Sequence, residues 1–172
     1  MCQVAPDENP TARRYGLGAG TMISKNLAAF LTTIAISEGT ERLGHNHGYD
    51  VLCGGGLFVG YADHPRKLTN LPKLGIKSSA AGRYQIKDGI FDFYKNQLGL
   101  PDFSPSSQDK IAIQLIKECH ATEEVEEGNI NHALMLCASR WASLPGANYG
   151  QHENKLSELH ADYVAAGGEV SA

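Results

Sequence analysis

The chain has 172 residues, 42% hydrophobic and 20% charged, with 15 basic against 19 acidic side chains for a formal charge of −4. A domain of this length buries roughly two thirds of its unfolded surface, so it needs no staples, and no apolar run approaches the ~20 residues of a membrane span. The acidic balance and the lack of a lysine or arginine stripe argue against nucleic acid as a partner.

Residues 1 to 24 carry Pro6, Asp7, Asn9, Pro10 and the glycine-rich YGLGAG without an apolar period, which predicts an N-terminal extension, a tail or arm, ahead of one domain over 25 to 172. The opening lacks the basic-then-apolar order of a secretory signal, so no export address is expected. Cys2, Cys53, Cys119 and Cys137 form no CxxC pair, and reduced thiols in a reducing compartment are expected, with Cys119 and Cys137 on buried helix faces.

From Leu27 the pattern changes. Leu27, Phe30, Leu31, Ile34 and Ala35 recur at three- and four-residue steps, with Ser24 or Asn26 as N-cap and Gly39 as terminator, which predicts a buried helix. Between Gly44 and Gly82, the segments YDVLC, LFVGY and GRYQI alternate with glycine and proline turns and predict a small irregular sheet. Helices are predicted over 88 to 98, over 105 to 119 with Ser104 as cap and Pro105 in the first turn, over 130 to 141, and over about 152 to 166 before Gly167-Gly168. Trp141 falls on the apolar stripe of the third of these and is expected in the core.

The stretch SEGTERLGHNHGYD, Ser37 to Asp50, concentrates the reactive groups. The first helix's series, continued from 35, lands on 38, so Glu38 is pointed inward. Burial and the negative end of the helix both disfavour its charged form, and a carboxyl that keeps its proton near neutral pH suits a general acid for glycoside cleavage. The plain alternative is a terminal glutamate that frays into water. His45 and His47 would need a third ligand to hold zinc, and Asp50, Cys53, Asp63 and His64 stand at no recognised metal spacing, so no metal and no cofactor are expected. A metal-dependent wall amidase on His45, His47 and His64 is the competing chemistry, and a catalytically dead wall-binding protein is another.

The blocks SEGT, NHGYDV, DHPRKL, AGRYQ, QLGL.DFSP.SQD and WASLPGA.YGQ, in order across about Leu27 to Gly168, resemble the bacteriophage lambda endolysin (lambda lysozyme) family of lytic transglycosylases. The resemblance implies a lysozyme-like α+β fold, mainly helical with a small irregular β lobe and a cleft between two lobes. It implies cleavage of the MurNAc–GlcNAc bond of peptidoglycan, leaving a 1,6-anhydro sugar, with Glu38 as proton donor. It further implies that Gln85, in the glycine-x-x-glutamine spacing of AGRYQ, is presented to substrate by a strand, where Tyr84 offers a ring for a sugar to stack on. Alternation along a strand lets at most one of the two reach the sugar. His47, inside the NHGYD block, is expected to orient its loop or touch substrate, Asp50 to cap a turn or border the substrate, and Tyr149 to border the cleft.

A hydrolytic muramidase pairing Glu38 with Asp50 or Asp63 stays open, because spacing gives no distance between carboxylates; Glu41, a third candidate, is expected in solvent. Gly56 stands where the phage lambda member carries glutamate, and the loop from Glu38 to NHGYD is a few residues shorter. The expected setting is a monomer made in the host cytoplasm that reaches the peptidoglycan glycan strands once a holin opens the membrane.

Overall fold

The computed structural model describes residues 23–171 apart from His45, Lys73, Leu74 and Gln151; most of the proposed extension, with Cys2, lies outside them. Among the described residues, six helices and one two-stranded sheet follow in chain order: α1 (Lys25–Ser37), β1 (Thr69–Leu71), β2 (Ile76–Ser78), α2 (Asp88–Leu98), α3 (Pro105–Glu118), α4 (Thr122–Glu126), α5 (Ile130–Cys137) and α6 (Leu156–Ala165).

Helix α1 starts where the Ser24 hydroxyl accepts the Leu27 amide at 3.0 Å, the role an N-cap serine performs for an otherwise unpaired donor. Every residue from Ala28 to Ala35 is buried, so the helix is apolar nearly all round and serves as the central rod. Helices α3, α4 and α6 pack against it. Phe30, Leu31 and Ile34 join Ile111 and Ile116 of α3, Leu134 of α5, and Leu159 and Tyr163 of α6 in the core.

The C-terminal end of α1 is built to stop. Gly39 takes φ +71°, its amide donates to the Ile36 carbonyl at 2.9 Å, and the Thr40 amide returns to the Ala35 carbonyl at 2.9 Å. That pair of bonds is the Schellman closure, which needs a left-handed residue just past the cap. Glu38 is the cap itself. Gly39→Ala, with open space around its Cβ, is expected to cost about 1–2 kcal/mol through φ alone and to lower the melting temperature by about 2–8 °C, measured by thermal unfolding.

The β arm differs from the sequence expectation. YDVLC, LFVGY and GRYQI supply only isolated bridges, Val51 to Leu57, Leu52 to Ala81 and Ala81 to Ile86. The paired ladder lies in 69 to 78, with Thr69 opposite Ser78, Asn70 opposite Lys77 and Leu71 opposite Ile76. Gly54, Gly55 and Gly60 at φ +83 to +89° turn the chain out of the extended region, so the apolar residues around them cannot run as strands. Helix α5 ends at Cys137 instead of 141, α6 begins at Leu156 instead of 152, and the five-residue α4 was not predicted because it is too short to show a period. Cys137 is buried and Cys119 half-buried.

His64 sits in an aromatic knot, 4.7 Å from the Phe103 ring and 5.9 Å from that of Phe91. Its Nδ1 accepts the Arg66 amide at 3.0 Å and its Nε2 lies 2.9 Å from the Ile86 carbonyl, so both nitrogens serve the protein. Burial lowers its pKa and favours the neutral imidazole. That occupancy argues against a metal-ligand role for His64, and among the described residues no three His, Cys, Asp or Glu side chains cluster around a common point.

Candidate active site

A groove of about 380 Å³ runs between the β arm and the helical body, with Ile76 and Ser78 on one wall, Leu115 and Trp141 on the other, and Glu38 and Gln85 exposed to it. Glu38 enters it because the α1 rod ends there. The Ser143 hydroxyl donates to Glu38 Oε1 at 2.6 Å. Burial pushes the carboxyl up to about 6, and the Ser143 hydrogen bond, which favours the anion, restrains the rise. A carboxylic acid with that pKa holds its proton over part of the mildly acidic range and ionises near neutrality, as a group that must first give and then take a proton requires.

Gln85 reaches the groove from a tight turn, not from a strand. Gly82 at φ +77° and Gln85 at φ +48° reverse the chain, and Gln85 returns both its backbone amide (3.1 Å) and its side-chain amide (3.0 Å) to the Gly82 carbonyl. The buried Gln108 clamps this turn. Its Oε1 accepts the Arg83 amide at 2.9 Å, while its Nε2 donates to the carbonyls of Tyr49 (3.0 Å) and Phe103 (2.9 Å). A Cβ at position 82 would run into that amide, so the glycine is required twice over, by space and by φ.

Tyr84 corrects the stacking expectation. Its side chain is 1% exposed, its hydroxyl donates to Asp109 Oδ1 at 2.6 Å, and Tyr49 donates to the same oxygen at 2.7 Å. The ring is enclosed and has no open face to offer a sugar, although Tyr84 is among the residues lining the groove. Burial raises Asp109 to about 7, against the lowering effect of the two phenols and Arg83. Trp141 is core, as expected, with its indole N–H on the Tyr84 carbonyl at 3.2 Å. Tyr149, 57% exposed, stands on the groove rim with its hydroxyl on the Ser139 carbonyl at 2.9 Å.

The remaining candidates fall away from the groove walls. His47, at φ +49°, lies 3.3 Å from Glu41 and gives its carbonyl to Arg83 Nη1 at 2.5 Å, so its backbone anchors the loop. Asp50 Oδ1 is buried beside Gly44 with no hydrogen-bond partner among the described residues. Asp63 sits in an exposed network with Arg66 and Lys95. Neither aspartate lines the groove. His45 lies outside the described residues.

Ser143, Ser37 and Asn154 around the acid escaped the sequence reading, and Glu41, expected in solvent, is instead mostly buried in an ion pair with Arg83 and does not line the groove. Ser143 lies within the WASLPGA block, the one signal that could have drawn attention to it.

This arrangement is that of a lysozyme-like α+β protein in which one carboxyl, among the described residues, lines the cleft. A solved bacteriophage lambda lysozyme complexed with a chitohexasaccharide matches it with a TM-score of 0.84 and 49% identity over 87% of this chain and 99% of that one. A second solved lysozyme from bacteriophage lambda gives 0.79 at 50% identity over 87% of this chain and 99% of the other. The Endolysin family model matches residues 28–170, and the chain belongs to that family. It is 51% identical to the endolysin of Escherichia phage lambda over 152 residues, 86% of this chain and 95% of that protein. Against the endolysin of Escherichia phage P2 the identity is 45% over 155 residues, 84% of this chain and 94% of the relative.

Proposed function

We propose that the chain is a phage endolysin that cleaves the MurNAc–GlcNAc β-1,4 bond of peptidoglycan as a lytic transglycosylase, with Glu38 as general acid and then general base. The observation that carries this reading is that Glu38 is the one carboxylate among the described residues lining the groove. Hydrolytic glycosidases normally place two carboxyl groups about the scissile bond; here Asp50 and Asp63, the candidates for the second, are elsewhere. The solved lambda lysozyme with a chitohexasaccharide supports a chain of N-acetyl sugars as the class of ligand.

In the reaction, Glu38 protonates the glycosidic oxygen as its bond to C1 of MurNAc breaks, releasing the GlcNAc 4-hydroxyl. An oxocarbenium-like centre develops at C1. The carboxylate then removes the proton of the same sugar's C6 hydroxyl, whose oxygen bonds to C1 and closes the 1,6-anhydro ring. No water is consumed, and Glu38 is again protonated. Holding that hydroxyl on the ring replaces a bimolecular attack by an intramolecular one. The Gln85 amide, able to donate and accept, binds N-acetyl or hydroxyl groups, and Tyr149 borders the glycan. Access to the wall follows the opening of the membrane by a holin.

Mass spectrometry of purified peptidoglycan after digestion tests the reading. Muropeptides lighter by one water than hydrolysed ones are expected; reducing MurNAc ends would assign hydrolysis instead. Turnover by the free enzyme is expected to fall as pH rises through about 6, where Glu38 loses its proton.

A further inference from the structure

Among the described residues, the Ser143 hydroxyl is the one group hydrogen-bonded to the Glu38 carboxyl, and it does not act alone. Asn154 Nδ2 donates to Ser37 Oγ at 3.1 Å, Ser37 Oγ donates to Ser143 Oγ at 2.7 Å, and Ser143 Oγ donates to Glu38 Oε1 at 2.6 Å. Asn154 is itself fixed, with its backbone amide on the Ser143 carbonyl at 2.9 Å and its side-chain amide also 3.1 Å from the carbonyls of Ser37 and Ser143. The relay joins the end of α1, the loop after α5 and the segment before α6.

The direction of these bonds follows from chemistry. An amide nitrogen donates and never accepts, so Ser37 Oγ cannot turn its proton toward Asn154 Nδ2, which shares its two protons among Ser37 Oγ and the carbonyls of Ser37 and Ser143, and donates to Ser143 instead. Ser143 Oγ accepts from Ser37, and among the described residues its own proton has Glu38 Oε1 as its acceptor, at 2.6 Å. A lone serine beside a carboxylic acid could rotate and accept the acid's proton; this one is polarised against doing so. Glu38 Oε1 therefore stays an acceptor, and the proton of the neutral acid belongs on Oε2, which no described residue bonds. We propose that Ser143, polarised by Ser37 and Asn154, is a positioning residue that confines the Glu38 proton to Oε2 and so directs it at the glycosidic oxygen. After transfer, the same hydroxyl stabilises the anion that must collect the C6 proton.

The inference rests on Glu38 being the acid. Charged groups on the groove walls are Lys77, Lys87 and Arg140, with Arg140 turned to Glu118 at 3.2 Å, while Glu41 is paired with Arg83. Burial and the Ser143 hydroxyl are the influences that set the Glu38 titration.

The experiment measures kcat, KM and the pH profile on purified peptidoglycan for wild type, Ser143→Ala, Ser143→Thr and Glu38→Gln, with thermal unfolding alongside. Loss of a hydrogen bond to a charged group predicts a fall in kcat of about 10- to 100-fold for Ser143→Ala, with KM within about two-fold. Removing a donor that favours the anion leaves the acid protonated to higher pH, so the falling alkaline limb moves upward. Ser143→Thr, which keeps the hydroxyl, is expected to restore both. A kcat loss with an unmoved limb, a change confined to KM or to melting temperature, or a threonine variant no better than alanine would overturn the proposal. Should Ser143→Ala not fold, Ser37→Ala removes one link while keeping the Ser143 hydroxyl, and a smaller shift of the limb in the same direction is expected; an unmoved limb overturns it. If Glu38→Gln retains turnover, the acid assignment itself fails; an inactive Glu38→Gln beside a wild-type-like Ser143→Ala defeats the relay alone.

Discussion

Glu38→Gln is expected to lower peptidoglycan turnover by about 10²- to 10⁴-fold, the usual contribution of general acid–base catalysis, and at the same time to make the protein more stable at neutral pH. The two effects share one cause. Burial raises the Glu38 pKa from 4.5 to about 6, so the folded state favours the neutral acid more than the unfolded chain does. Stability from this residue is complete below pH 4.5 and is lost as pH rises through 6. Above that, carrying the anion costs the fold about 1–2 kcal/mol, part of the full linkage being screened where the side chain meets the groove. Glutamine keeps the Ser143 hydrogen bond and carries no charge. At pH 7 its melting temperature should exceed that of wild type by about 2–8 °C, and the difference should vanish near pH 4. Turbidity of a bacterial suspension reads the first effect and thermal unfolding at the two pH values reads the second; undiminished lysis would dismiss Glu38 as the acid.

Arg83→Ala carries the largest expected loss of stability. The side chain is 1% exposed and pairs with Glu41, itself 14% exposed. It also reaches the His47 carbonyl at 2.5 Å and Thr32 Oγ1 at 3.2 Å, and its guanidinium lies 5.3 Å from the Tyr49 ring centre and 5.8 Å from that of Tyr84. Truncation leaves the Glu41 carboxylate without the cation that compensates it, a change that typically costs about 3–5 kcal/mol, or about 6–20 °C in melting temperature. Activity should fall with stability, because Arg83 joins Gln108 in tying the loop of His47 to the turn presenting Gln85. Arg83→Lys restores charge without the fork that holds several acceptors at once, so partial recovery is expected. A melting temperature within about 2 °C of wild type would show that the pair is not a structural anchor.

The helices were legible where their signals are local. Ser104 with Pro105 marks the start of α3, the apolar period marks α1, and Gly39 marks its end, each acting within a few residues. The inward position of Glu38 was legible for the same reason, since it follows from the period of the helix that Glu38 terminates. The β arm was not, because its ladder depends on pairing across a turn while glycines elsewhere dissolve the runs that looked more strand-like. Gln85 sits on a turn closed by Gln108, 25 residues from Arg83 in the chain, and Ser143 meets Glu38 across 105 residues. Contacts of that range leave no periodicity to read. Tyr84 was misread because its aromatic type suggested a sugar platform, while its role depends on Asp109, a buried carboxylate on a helix face that patterning assigns no special place.

The two sides of the groove are made of unlike material. The acid projects from a rod enclosed on every side by the core, whereas the opposite wall is a hairpin held by three residue pairs at its ladder. On the proposed reading, chemistry and selectivity fall to separate parts: exchanging residues on the hairpin would retune which glycan is admitted, while Glu38 stays anchored at the end of the buried helix.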